Sequence, residues 1–168
     1  MKKIIVVIAA VIISFAAKAQ FYAGGSINAL FNDNTTISIA PEVGYNINDT
    51  FSVGVGLVFG SAEDIYSAFG INPYVRWNFA QNAPVNFFLD GGLAYLNYNN
   101  KVVDKSYSCF QIGVKPGFAI PVNDKFSFVA HVGFLGYTAN EDGVPGYDDG
   151  FGISLNGNDI SCGFYYNF

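Results

Sequence analysis

The chain has 168 residues, of which 12% are charged and 17% aromatic, with 19 glycines and a formal net charge of −5. High hydrophobicity with little charge excludes a disordered chain, and the acidic balance excludes a nucleic-acid binder. The dominance of Gly, Asn, Phe and Tyr over good helix formers disfavours a helical bundle, leaving a β-protein whose surface carries too little charge for water.

The amino terminus is built for export. Met1-Lys2-Lys3 is basic, residues 4–17 are apolar apart from Ser14, and Ala17-Lys18-Ala19 puts small residues at the −3 and −1 positions of a cleavage site. These three parts make a signal peptide over 1–19, cleaved after Ala19, and leave one domain over 20–168. No cysteine lies near the junction, so no lipid anchor is expected there. Beyond residue 20 no stretch approaches the ~18 consecutive apolar residues of a spanning helix. Losing Lys2, Lys3 and Lys18 takes the basic residues from 8 to 5 against 13 acids, a net charge of −8 for the exported chain.

Period-two patterning then predicts eight strands, over 21–30, 36–47, 50–60, 68–79, 85–97, 106–120, 125–137 and 152–168. In the third, Phe51, Val53, Val55, Leu57 and Phe59 share one face, with Ser52, Gly54 and Gly56 on the other. The second sets Ile37, Ile39, Val43, Tyr45 and Ile47 against Ser38, Ala40, Glu42, Gly44 and Asn46. In the fourth, Phe69, Ile71, Val75, Trp77 and Phe79 oppose Gly70, Asn72, Tyr74, Arg76 and Asn78. The last sets Ile160, Cys162, Phe164, Tyr166 and Phe168 against Asp159, Ser161, Gly163, Tyr165 and Asn167.

A soluble lipid-binding barrel would cover its outer face with Lys and Glu. Here the non-apolar faces carry Gly, Ser, Asn and isolated charges, which suit the narrow interior of an eight-stranded transmembrane barrel. Each segment can supply the ~9–11 residues of a spanning strand. Short connections, at 48–49, 81–84 and 121–124, alternate with mostly longer, polar ones around 31–35, 61–67, 98–105 and 138–151. That asymmetry places the short turns and both termini on the periplasmic side. Phe21, Phe51, Trp77, Phe79, Phe87, Phe126 and Tyr166 mark the periplasmic rim, and Phe59, Phe69, Tyr95 and Phe110 the outer one, as two aromatic girdles.

On these residues the chain resembles the OmpA/OmpX-like small outer-membrane β-barrels over roughly 20–168. The resemblance is most specific at Ile160-Ser161-Cys162-Gly163-Phe164-Tyr165-Tyr166-Asn167-Phe168, with weaker likeness at Phe21-Tyr22-Ala23-Gly24-Gly25 and Asn72-Pro73-Tyr74-Val75-Arg76-Trp77. It implies an eight-stranded antiparallel up-and-down barrel in the outer membrane of a Gram-negative envelope, among lipid and lipopolysaccharide, most simply as a monomer. It also implies that Phe164, Tyr166 and Phe168 form the signal read by the barrel-assembly machinery. The peptidoglycan-binding domain of full-length OmpA has no counterpart here, so cell-wall anchoring is not implied.

Four charges fall on inward positions at similar heights: Glu42, Arg76, Asp90 and Lys115. Poorly solvated charges in a narrow lumen pair with one another, which predicts a plug in which two acids meet two bases. Cys109 is expected inward near the outer end of strand six and Cys162 outward on strand eight, two free buried thiols too far apart to bridge. The single histidine, His131, is expected in the lumen with no serine placed beside it, so no enzyme is expected. The outer loops carry Asp33, Glu63, Asp64, Asp104, Glu141, Asp142, Asp148 and Asp149 against Lys101 and Lys105. Calcium at Asn140-Glu141-Asp142-Gly143 or Tyr147-Asp148-Asp149-Gly150 is a minor reading, because neither stretch has the spacing of a twelve-residue calcium loop. No cofactor or metal is expected. The expected role is structural or interactive, through envelope integrity or loops that meet an extracellular ligand. A narrow porin-like channel is the main alternative, and a soluble periplasmic lipid-binding barrel a third.

Overall fold

The computed structural model describes residues 20–30, 36–62, 65–82, 84–102, 104–140, 149–155 and 159–168. The expected signal peptide over 1–19 lies outside them. Ten strand segments follow one another: β1 (Phe21–Leu30), β2 (Thr36–Asn46), β3 (Phe51–Ala62), β4 (Tyr66–Asn82), β5 (Val85–Asn100), β6 (Lys105–Pro121), β7 (Phe126–Val132), β8 (Phe134–Asn140), β9 (Gly150–Ser154) and β10 (Ile160–Asn167). Each pairs antiparallel with its sequence neighbour from β1 to β6; β6 then pairs with both β7 and β8, and β10 returns to β1. The sheet closes on itself as an eight-stranded antiparallel barrel.

Ten segments make eight barrel strands because the last two strands are interrupted. β7 and β8 form the seventh strand, broken at Gly133, whose φ of +86° lies in the left-handed region that glycine tolerates. The break is a bulge: His131 before it and Phe134 after it are both buried, although three residues apart. β9 and β10 form the eighth strand, and the Gly133 N–H donates to the Asp159 carbonyl where they part (3.1 Å). The central strands also outrun their expected lengths. β4, β5 and β6 have 17, 16 and 17 residues: β4 adds 66–67 and 80–82, β5 adds 98–100, and β6 adds one residue at each end, mostly polar positions that read as turn or loop.

The alternation sorts side chains as a membrane barrel requires. Outward-facing Ile39, Phe51, Phe69, Trp77 and Phe164 are exposed, whereas inward Tyr22, Tyr74, Phe88 and Tyr165 are buried among Ser52, Arg76 and Asp90. Apolar outside and polar inside is the reverse of a soluble protein, and the free-energy gain of burying the outer face needs lipid or detergent around it. No helix among the described residues is long and apolar enough to cross a membrane. At the turn end, Trp77–Phe79, Phe79–Phe87, Phe126–Tyr166 and Tyr166–Phe168 stand 5.0–6.4 Å apart between ring centroids. Phe59 and Phe69 pair at the opposite end (5.3 Å).

The seam between first and last strands depends on a glycine. A Cβ built on Gly163 would collide with the Gly25 carbonyl oxygen. Only a residue without a side chain lets β10 approach β1 this closely.

Both cysteines are free; Cys109 is fully buried inside the barrel wall, and Cys162 is exposed on the outer face rather than buried. Burial inside protein and burial in lipid are different conditions for a thiol, and only the second admits an apolar reagent. In detergent micelles a pyrene maleimide is therefore expected to modify one thiol per folded chain and two after heat unfolding. Cys162→Ser should abolish the folded-state reaction; retained labelling would reverse the facing of the last strand.

Candidate functional site

The chemistry of this chain is gathered in the lumen. Register alone brings Arg76 of β4 opposite Asp90 of β5, and Asp90 opposite Lys115 of β6. Arg76 and Asp90 meet in a forked pair, Nε to Oδ1 and Nη2 to Oδ2, each 2.7 Å. This planar two-bond match is the strongest geometry a guanidinium and a carboxylate can adopt. His131 of β7 reaches the same carboxylate, Nε2 lying 2.9 Å from Asp90 Oδ2.

Glu42 is held differently. Its Oε2 accepts the hydroxyls of Tyr74 (3.0 Å) and Tyr165 (2.7 Å), and its Oε1 accepts from Ser26 (3.5 Å). Since Tyr74 donates to Glu42, its oxygen accepts from Tyr22 (2.9 Å). Tyr165 likewise accepts from Arg76 Nη2 (3.2 Å), which ties the two carboxylates into one network. The Arg76 guanidinium lies over the Phe88 ring, 3.9 Å from its centroid, with Tyr22, Tyr74 and Tyr165 within 5.8 Å. Tyr22 and Tyr165 stack on one another at 5.2 Å. Buried charge, hydroxyls and rings thus fill one level of the barrel.

The expected pairing of two acids with two bases holds only in part. Arg76 pairs with Asp90, but Glu42 finds tyrosine hydroxyls instead of a base. Lys115 makes no ion pair within 4 Å among the described residues; Asp159, Glu42 and Asp90 act on it only from farther away. Its ammonium lies 6.0 Å from the Phe134 ring and faces a cavity of about 140 Å³. That cavity occupies the outer half of the barrel above the plug. Its polar end carries Glu42, Asp90, His131 and Lys115, and its apolar wall Val58, Ala94 and Leu96.

Sequence reasoning missed the tyrosines, although parity had already put Tyr74 and Tyr165 on lumen faces. It also left His131 without a serine, and the register corrects this: Ser161 is paired with His131 across β10 and β7, its Oγ 3.5 Å from Nδ1. The acidic stretches considered for calcium fall mostly outside the described residues. At their edge Asp149 Oδ1 accepts the Asn140 N–H (2.5 Å).

The architecture has a counterpart among solved structures. The crystal structure of Neisserial surface protein A (NspA) matches with a TM-score of 0.58 at 16% identity, over 90% of this chain and 98% of that one. The two chains share a fold. A de novo designed transmembrane β-barrel aligns over 89% of this chain and 96% of that one, with 8% identity and a TM-score of 0.45. No family model and no curated relative matches the chain.

Phe164, Tyr166 and Phe168 lie together at the carboxyl-terminal end. Phe164 is exposed on the outer face and packs on Phe128 (5.5 Å), while Tyr166 packs between Phe126 and Phe168. The Phe168 N–H donates to the Phe21 carbonyl (3.0 Å), which ties the last residue to the first strand.

Proposed function

We propose that this chain is an integral outer-membrane barrel of the OmpA/OmpX-like kind, exported by cleavage after Ala19 and acting structurally or through its outer loops. The observation that carries this reading is the plug. A closed barrel with an apolar exterior belongs in a bilayer, and the Arg76–Asp90 pair, His131, Glu42 and three tyrosines bond to one another across one level of its lumen, which favours a plug over a channel. A barrel filled in this way would stiffen the envelope and present its acidic loops to an extracellular ligand. The neighbour's name, a surface protein, is in keeping with that placement. Lipid and lipopolysaccharide are its surroundings, and the barrel-assembly machinery its partner during biogenesis.

The channel reading needs the charged layer to be hydrated rather than paired, and the 2.7 Å fork speaks against it. The soluble-barrel reading needs a polar outer face, which the exposed Ile, Val and Phe side chains deny. The test is fractionation of the expressing cell, followed by reconstitution. The protein is expected in detergent extracts of the outer membrane, migrating faster unheated than heated in gels, and electrically silent in a planar bilayer. Release by osmotic shock would overturn the membrane assignment. Large stable conductance would overturn the sealed lumen.

A further inference from the structure

Ser161, His131 and Asp90 all border the cavity above the plug, and they touch in sequence: Ser161 Oγ to His131 Nδ1 at 3.5 Å, His131 Nε2 to Asp90 Oδ2 at 2.9 Å. An ionised carboxylate can only accept, so the imidazole carries its proton on Nε2 and turns the Nδ1 lone pair towards Ser161. We propose that Ser161 is a nucleophile activated by His131, that Asp90 is the positioning residue behind it, and that the lumen takes small esters of short acyl groups as substrate. The two ring nitrogens exchange the parts they play in serine hydrolases, but such arrays are recognised by geometry and role, not by atom label or position.

The surroundings supply what the step requires. Arg76 fixes both oxygens of Asp90, so the base has a rigid support. Lys115 lines the same cavity without a side-chain hydrogen bond among the described residues, and although Asp159, Glu42 and Asp90 act on it from a distance, it is the cation of the cavity that a developing oxyanion would meet. Val58, Ala94, Leu96 and Phe134 give the acyl group an apolar wall. The cavity of about 140 Å³ is close to the ~150 Å³ that admits benzene, which fits a short acyl or small aryl group.

The reaction balances without a further reagent. His131 Nδ1 takes the Ser161 proton as Oγ bonds to the ester carbon, and the imidazolium returns that proton to the departing alkoxide, giving an alcohol and an acyl-serine. Water, deprotonated by the same nitrogen, then releases the acid and restores the serine. A phosphoryl-serine is released by this route far less readily than an acyl-serine, so the adduct of a fluorophosphate persists. The proposal does not rest on the envelope role, since the same array would exist in a barrel of any location.

The experiment uses the folded protein in detergent micelles, treated with p-nitrophenyl acetate, read as nitrophenolate release, and with a small dialkyl fluorophosphate, whose adduct is located by mass spectrometry. One adduct per chain is expected, on Ser161, and it should be absent from Ser161→Ala and from heat-unfolded protein. His131→Gln should slow its formation about a hundredfold, the usual worth of a general base. Ser127→Ala removes a serine of β7, the strand of His131, that does not line the cavity, and should leave the reaction intact. Heat-modifiable migration checks the fold of each variant; if His131→Gln does not fold, the wild type and Ser161→Ala decide between them. No adduct on the folded wild type, an adduct elsewhere, or an undiminished rate in folded His131→Gln would overturn the proposal.

Discussion

Arg76→Ala is expected to lower the stability of the barrel by about 3–5 kcal/mol, the usual cost of stranding one partner of a buried ion pair, and to turn a silent barrel into a leaky one. The guanidinium makes both bonds to Asp90, one to Tyr165, and a close contact with the Phe88 ring. Its removal leaves Asp90 with His131 alone and opens a side-chain-sized void at the level where the lumen is sealed. Water entering that void solvates the carboxylate, which softens the energetic loss, and the same water is the path along which ions leak. Stability and conductance therefore move in opposite directions, a pairing that simple misfolding does not produce. Arg76→Lys keeps the charge but loses the planar fork, so it should fall between the two. Urea unfolding in micelles reads the first effect and planar-bilayer recording the second. A wild-type barrel that already conducts steadily, with a current that Arg76→Ala leaves unchanged, would replace the sealed lumen by a channel.

The strands were legible because a membrane barrel segregates its side chains more completely than a soluble sheet. Each lumen position is confined and each outer position faces hydrocarbon, so Phe51, Val53, Val55 and Leu57 stand out against the small Ser52, Gly54 and Gly56 between them. Arg76 and Asp90 could be read for the same reason, since both sit on lumen faces of adjacent strands and neither can be solvated singly. What escaped were relations that depend on the stagger between strands. Glu42 does not pair with a base, because stagger carries it towards the hydroxyls of Tyr74 and Tyr165. Parity says that those tyrosines point inward but not which acid they meet. Ser161 and His131 lie on consecutive barrel strands joined by a long connection, whose length leaves the register open. The bulge at Gly133 was invisible too, because Val132-Gly133-Phe134 reads equally well as straight strand. Only pairing with β6 on both sides of the break shows that one residue has been added to the outer face.

Deletion of Phe168 is expected to leave almost no protein in the outer membrane, with unassembled, protease-sensitive chain in the periplasm instead. Two separate losses contribute. The last residue donates its N–H to the Phe21 carbonyl, the final rung that ties the carboxyl terminus to the first strand. Its ring also packs edge-on against Tyr166 (5.0 Å), itself packed on Phe126 of the seventh strand (5.0 Å). One rung and one ring at a strand end carry only about 1–2 kcal/mol in a finished barrel. A near-complete loss of assembled protein would therefore exceed what native-state stability explains, and would place the effect on recognition before closure. Phe168→Ala separates the two, since it keeps the rung and discards the ring. If recognition dominates, Phe168→Ala should fail in cells as the deletion does, while both variants refold in detergent to heat-modifiable barrels. If the rung dominates, Phe168→Ala should assemble normally and the deletion should refold poorly in both settings. Wild-type outer-membrane levels for both variants would remove the assembly signal from this end of the chain, and with it the most specific part of the likeness to OmpA/OmpX-like barrels.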